Sequence, residues 1–238
     1  MIRKLTLALL LTLPTMAVAI DLEGYYITPK GGISKSMDTG VTYHDTGGGQ
    51  FEMKDNDLGT GYVFGLSVGK YITNNFRLEL EASQRGGLEY DGEIITGSSI
   101  GATYKADIKT QSIFINGFYD FESFAISSSS VTPYVGGGIG MSKNKMGVNT
   151  NSGPQSNLVA YTDGKKVSQF AYKLAAGALI SLTKKLSLDI NYQYVDLGSF
   201  KSGVDYVVSN GGYGTSTEPT NGGDIKTQEL MVGLQYKF

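Results

Sequence analysis

Apolar and polar residues alternate with a two-residue period in eight separate stretches of this chain. The clearest is the last, Glu229–Phe238. Leu230, Val232, Leu234, Tyr236 and Phe238 fall on one face there, and Glu229, Gly233, Gln235 and Lys237 on the other. A two-residue period is that of a β-strand, and a face made wholly of bulky apolar residues requires an apolar medium beside it. The other stretches are Gly24–Ser34, Gly61–Tyr71, Phe76–Ser83, Thr110–Asp120, Pro133–Ser142, Gln169–Ile180 and Leu186–Val195. In Phe76–Ser83, for example, Phe76, Leu78, Leu80 and Ala82 alternate with Arg77, Glu79, Glu81 and Ser83. Pro29 interrupts the first stretch and is tolerable there at a bulge or a weak pairing point. Each stretch is near the length of about 9–11 residues that a tilted strand needs to cross a bilayer.

The connections alternate in length. Ile72–Asn75 and Ser181–Lys185 are tight polar turns, and the link containing Ser127–Ser130 is somewhat longer. Between them lie four long connections rich in Gly, Ser, Thr, Asn and Asp, at residues 35–60, 84–109, 143–168 and 196–226. Short turns on one side and long loops on the other are the layout of an outer-membrane barrel, with periplasmic turns and extracellular loops. The predicted fold is all-β, an eight-stranded antiparallel up-and-down transmembrane barrel. A soluble barrel would turn its apolar face inward and has little reason for this loop asymmetry.

The N-terminus agrees. Met1–Lys4 is a short basic segment, Leu5–Leu13 is mostly apolar, and Ala17-Val18-Ala19 has the small-residue pattern of a cleavage site. Residues 1–19 therefore read as a secretory signal peptide, leaving residues 20–238 as one barrel domain. The chain offers no other run of about 20 apolar residues, so membrane insertion falls to strands. There is no cysteine, hence no disulfide and no thiol chemistry. The net charge is −2, or about −4 once Arg3 and Lys4 are removed, which argues against nucleic acid as a partner.

Several stretches resemble the opacity-protein/OmpA-like family of small barrels. They are Asn116–Phe121, Pro133–Gly140, Phe170–Gly177, Leu188–Tyr194 and the closing Tyr236-Lys237-Phe238. Their order and spacing also resemble the small surface antigens and adhesins of rickettsia-like intracellular bacteria. The resemblance implies a protein of the Gram-negative outer membrane with lipid around it. It also implies binding of host surface or serum proteins through the loops; no enzymatic activity is expected, because one histidine and no cysteine are thin material for a catalytic set. It further implies that Leu234, Tyr236 and Phe238 form a C-terminal signal read by the outer-membrane assembly machinery. A periplasmic domain of the full OmpA type is not expected after Phe238.

Candidate chemistry is sparse. Gly65-Leu66-Ser67-Val68-Gly69 matches the G-x-S-x-G pattern, but it lies within a regular strand and the one histidine, His44, precedes it. Small residues facing a crowded interior are the simpler reading. Gly136–Gly140 lacks the Gly-Lys-Ser/Thr and the helix of a phosphate loop, so close packing is expected there. Asp55, Asp57 and Gly59 form a fragment of a calcium loop without its closing glutamate. No cofactor and no metal are expected.

The best-defined constellation is a set of charges on predicted inward faces: Lys30, Arg77, Glu79, Glu81, Lys173 and Asp189. A charge inside a barrel must be paired or hydrated. Eight strands enclose a space that side chains about fill. A salt-bridge network filling the lumen is therefore expected, in preference to a narrow solute porin. Loss of Arg77 is expected to leave Glu79 and Glu81 short of a partner. Tyr25, Tyr62, Tyr71, Tyr119, Tyr134, Tyr194 and Tyr236 flank the apolar stretches, where several would form an interfacial girdle.

Overall fold

The computed structural model describes residues 22–37, 40, 42–44, 50–52, 57–96, 99–126, 129–147, 149–152, 159–162, 164–203, 205–209, 212–215 and 221–238. The expected signal peptide, Asp55 and parts of the expected loops lie outside these residues. Eight long strands dominate the described chain: β1 Tyr25–Ser36, β2 Thr60–Tyr71, β3 Phe76–Thr96, β4 Ser99–Asp120, β5 Ser129–Met146, β6 Lys166–Ser181, β7 Leu186–Lys201 and β8 Asn221–Lys237. Each pairs antiparallel with its sequence neighbour. β8 then pairs with β1, from Tyr26–Lys237 to Ser36–Thr227, and closes the ring. Pro29 sits where this last ladder passes from Ile27–Tyr236 to Lys30–Gly233.

The outer surface of the ring carries an apolar belt. Phe64, Leu66, Leu80, Ile113, Ile115, Ile139, Phe170, Leu174 and Leu230 all point outward and are exposed. Large apolar residues exposed in this number are stable only against lipid. At one end of the belt the strands are joined by the tight turns at 72–75 and 182–185. There Thr73 and Thr183 each accept hydrogen bonds through Oγ1 from backbone amides two and three residues ahead. At the other end the strands do not stop where the alternation of apolar residues stops.

β3 and β4 span 21 and 22 residues. Beyond Ser83, β3 continues for about 40 Å of strand. Most of residues 84–109, read from sequence as a loop, is thus a β-hairpin. Its ladder shifts register between Arg85 and Leu88, where Gly87 takes a φ of 71°. This is a β-bulge, and it exchanges the inward and outward parity of the strand. β7 carries a second bulge between Asp196 and Ser199, with Gly198 at a φ of 69°. Residues 149–152 pair with β4, and 159–162, 205–209 and 212–215 extend the sheet sideways from there. Residues 42–44 pair with β8 and with 50–52. The long connections are therefore largely sheet among their described residues.

Candidate functional site

Alternation of side chains sends every second residue of each strand into the barrel. Those inward positions form four layers along the axis. At the short-turn end, Arg77 Nε donates to Asp120 Oδ1 at 2.9 Å, and Tyr71 Oη donates to Asp120 Oδ2 at 3.1 Å. The Arg77 guanidinium carbon lies 4.3 Å from the ring centre of Phe118 and 4.5 Å from that of Tyr134. Such faces attract a cation, the more so when water is excluded. Tyr134 is buried and donates to Asp189 Oδ1 at 2.6 Å. It belongs to the interior and not to the interfacial girdle expected from sequence, because it shares the parity of Gly136 and Gly138.

The second layer is a chain of alternating charge. Lys30 Nζ lies 3.1 Å from Glu79 Oε1 and 2.7 Å from Glu81 Oε2. Lys173 Nζ lies 2.6 Å from the same Glu81 oxygen. Asn116 Nδ2 donates to Glu79 at 3.2 Å, and the Lys173 ammonium stands 5.0 Å from the Phe114 ring centre. The structure thus places five of the six sequence-nominated charges in ion pairs and gives Asp189 to the Tyr134 hydroxyl, and it changes one partnership. Arg77 serves chiefly Asp120, with Glu79 Oε2 at 3.8 Å, while Glu81 is held by Lys30 and Lys173. Removing Arg77 takes the ion-pair partner from Asp120 and leaves it the Tyr71 hydroxyl, while Glu81 keeps both of its cations.

The third layer was not nominated from sequence as a pair. Arg85 Nε and Nη2 donate to Glu229 Oε1 and Oε2 at 2.5 and 3.0 Å, a two-pronged contact between fully buried side chains. Glu229 also accepts from Gln193 at 2.6 Å and from Ser34 and Thr227 at 2.9 Å each. Arg85 donates further to Ser83 and Ser112. The signal was available: Arg85 continues the parity of Arg77, Glu79, Glu81 and Ser83. The apolar outward alternation stops at Ala82, so Arg85 falls in a segment that reads from sequence as loop.

The fourth layer is apolar. Leu58, Leu88, Ile108, Met146, Leu197 and Phe200 are fully buried in one cluster at the long-hairpin end. The bulged segment of β7 leans inward over it. The Leu197 carbonyl accepts from Ser142 Oγ at 2.5 Å and from Asn144 Nδ2 at 2.8 Å, both on β5, two strands away. The bulges matter here, because they turn Leu88 and Phe200 inward where unbroken parity would have turned them out. The interior is therefore charged through the belt and closed by an apolar plug above it.

The remaining candidates have structural partners. Ser67 Oγ donates to the Thr28 carbonyl at 3.3 Å from the inner face of a regular strand, without the turn that a nucleophile elbow requires. A Cβ on Gly138 or Gly140 would collide with Asn116 Oδ1 or with the Ile113 carbonyl, so these glycines admit close approach of β4 and β5. The Asp57 carboxylate accepts from the Gly59 amide at 2.9 Å as a local turn. Among the described residues no group of three or more His, Asp or Glu side chains could hold a metal ion. Leu234, Tyr236 and Phe238 lie on the lipid face, the two rings edge to face at 5.4 Å. Lys237 turns back over the Tyr71 ring at 4.3 Å.

Comparison with known proteins agrees with this geometry. PagN, an outer membrane protein of Salmonella typhimurium, is 26% identical over 235 residues, covering 93% of each chain. A candidate adhesin of Rickettsia bellii is 28% identical over 205 residues, covering 81% of this chain and 85% of its own. Among solved structures, Neisserial surface protein A superposes with a TM-score of 0.53 at 16% identity, over 91% of this chain and 98% of its own. The Escherichia coli outer membrane protease OmpT reaches the same TM-score at 12% identity, over 92% and 98%. Likeness at such identity speaks to the fold alone. The model of the outer membrane protein β-barrel domain matches residues 5–238. With the closed eight-stranded ring, the lipid-facing belt and that match, the chain belongs to the outer membrane protein β-barrel family and resides in the outer membrane of a Gram-negative bacterium.

Proposed function

We propose that this protein is a surface-exposed binding scaffold that engages host ligands through the hairpins projecting beyond the outer leaflet, without enzymatic activity. The observation that carries the proposal is the contrast between the two parts of the barrel. The interior is packed with paired charges and then with an apolar plug, which suits a rigid post and not a conduit. The outer halves of β3 and β4 and the strands beside them form an extended sheet edge beyond the belt. Rigid scaffolds with elaborated outer segments are where binding residues concentrate. The relative named as an adhesin supports the same reading.

The test is exchange of the outer hairpin residues 86–108 for a short type I′ turn, in the full barrel displayed on a non-adherent bacterium. Binding to host cells and to immobilised serum proteins is measured beside the intact protein. Loss of binding with unchanged surface display is expected, whereas intact binding after exchange of all four outer segments overturns the proposal. Planar-bilayer recording separates it from the porin reading: the filled barrel gives no large stable conductance steps, and regular open-channel steps would favour solute passage.

A further inference from the structure

We propose that the outer face of β2–β6, at the upper edge of the lipid belt, is a binding site for one phosphorylated, acylated saccharide lipid of the outer leaflet. The first observation is a groove of about 650 Å³ on this face, between Phe64, Leu66, Ile113 and Met141. Strand register explains it. Leu66, Ala82, Ile113 and Met141 are cross-strand neighbours in one row, and Ala82 is the short member, so a trough opens between bulky side chains. Toward the belt its walls are apolar and continuous with the lipid-facing surface, which suits an acyl chain, and its upper end is polar, lined by Gln84, Gln111, Lys143 and Ser168.

The second observation is what stands at the upper end of the groove and beyond it. The next row outward is Gln84, Gln111, Lys143 and Ser168. One row further, Lys109 opposes Lys145 and Lys145 opposes Lys166 on β4, β5 and β6. All four lysines are exposed on the outer face. Like charges directly opposite one another destabilise a sheet. The three ammonium groups of the outer row are spread over about 10 Å, with Lys143 about 7 Å nearer the lipid. The acidic neighbours on the same face, Glu89 and Asp107, oppose each other one row further out.

A cluster of this kind calls for an external anion. Its height fixes which: the groove lies at the end of the belt opposite the tight turns, so the lipid alongside is that of the outer leaflet. In Gram-negative bacteria that leaflet is built of acylated saccharides bearing phosphate. Phosphate would sit among Lys109, Lys143, Lys145 and Lys166, the sugar hydroxyls against Gln84, Gln111 and Ser168, and an acyl chain over Ala82. Free phosphate would satisfy the lysines but leave the groove without purpose.

The folded full barrel in detergent micelles is titrated with bis-phosphorylated lipid A and followed by native mass spectrometry. The Lys109→Ser/Lys145→Ser/Lys166→Ser variant should bind about a hundredfold more weakly, at about fivefold per lysine. The triple arginine variant should retain affinity, and Ala82→Phe, which fills the trough from the lipid side, should weaken binding with all lysines intact. Lipid A stripped of phosphate should bind wild type no better than it binds the triple serine variant. Inorganic phosphate at millimolar concentration should not compete. The proposal is overturned if the triple serine variant binds within twofold of wild type, or if stripped lipid A binds as well as intact. Effective competition by inorganic phosphate would reduce the site to an anion patch and overturn it too, as would equal affinity for phosphatidylglycerol. Heat-modifiable gel mobility confirms that each variant is folded.

Discussion

Replacing Arg85 by methionine isolates a fully buried, two-pronged ion pair in the barrel interior. Both side chains of the Arg85–Glu229 pair have no exposed surface, so Glu229 cannot recover hydration when its cation is lost. Breaking a buried pair from one side costs about 3–5 kcal/mol, because an uncompensated charge remains. Glu229 keeps three donors, Gln193, Ser34 and Thr227, at 2.6 to 2.9 Å. Hydrogen bonds to a charged group are worth roughly 1.5–3 kcal/mol each, which places the expected loss near the lower bound, at about 3 kcal/mol. Glu229→Gln alone should cost a similar amount by leaving the buried Arg85 guanidinium without its counter-charge. The double variant removes both charges and should lie within about 1 kcal/mol of wild type, since neutral replacements of buried pairs are often tolerated. The chain has no tryptophan. Urea unfolding in lipid vesicles is therefore followed by far-UV circular dichroism and by gel mobility of unheated samples. A single variant within about 0.5 kcal/mol of wild type, or a double variant as unstable as the two singles combined, refutes the reasoning.

Three further outcomes are expected. Arg77→Ala should lower stability by about 2–4 kcal/mol by stranding Asp120, and Asp120→Asn in that background should recover part of the loss in a thermal melt, whereas Glu79→Gln should not. Gly140→Ala should cost about 1–3 kcal/mol, since its methyl group meets the Ile113 backbone and no rotamer change relieves it; urea midpoints measure this. Phe200→Ala should cost about 3–5 kcal/mol and make the outer hairpins more sensitive to limited proteolysis, while the belt strands stay protected.

The eight membrane segments were legible because lipid enforces a strict two-residue period on the outer face. Leu230 through Phe238 on β8 could scarcely be read otherwise, whereas on β4 the phase is less plain from sequence, because Phe114 and Phe118 oppose Ile113 and Ile115; the structure turns the two isoleucines to the lipid. The same logic gave the inward phase of Arg77, Glu79 and Glu81. Partner choice was not legible, since parity tells which side of the wall a residue faces and nothing of its height or its neighbour across the lumen. Hence Arg77 was matched to Glu79 and Glu81 rather than to Asp120. The outer strands were obscured for a different reason. Above the belt the exterior meets water and the interior turns apolar, so the pattern inverts: Ile108 and Met146 point in while Lys109 and Lys145 point out. Glycine at the bulges then breaks the phase, and a segment rich in Gly, Ser and Asn looks like a loop.

Those two bulges have a consequence for how the sequence can change over time. In an alternating strand, inserting or deleting one residue exchanges the two faces of everything up to the next turn. At Gly87 and Gly198 the ladder already accommodates a change of parity, so a one-residue difference in length there re-phases only the outer segment. The lipid-facing residues of β3 and β7 keep their assignment. The barrel can thus acquire or shed residues at its outer rim, and so vary what it presents to another cell, under selection separate from that which keeps it in the membrane.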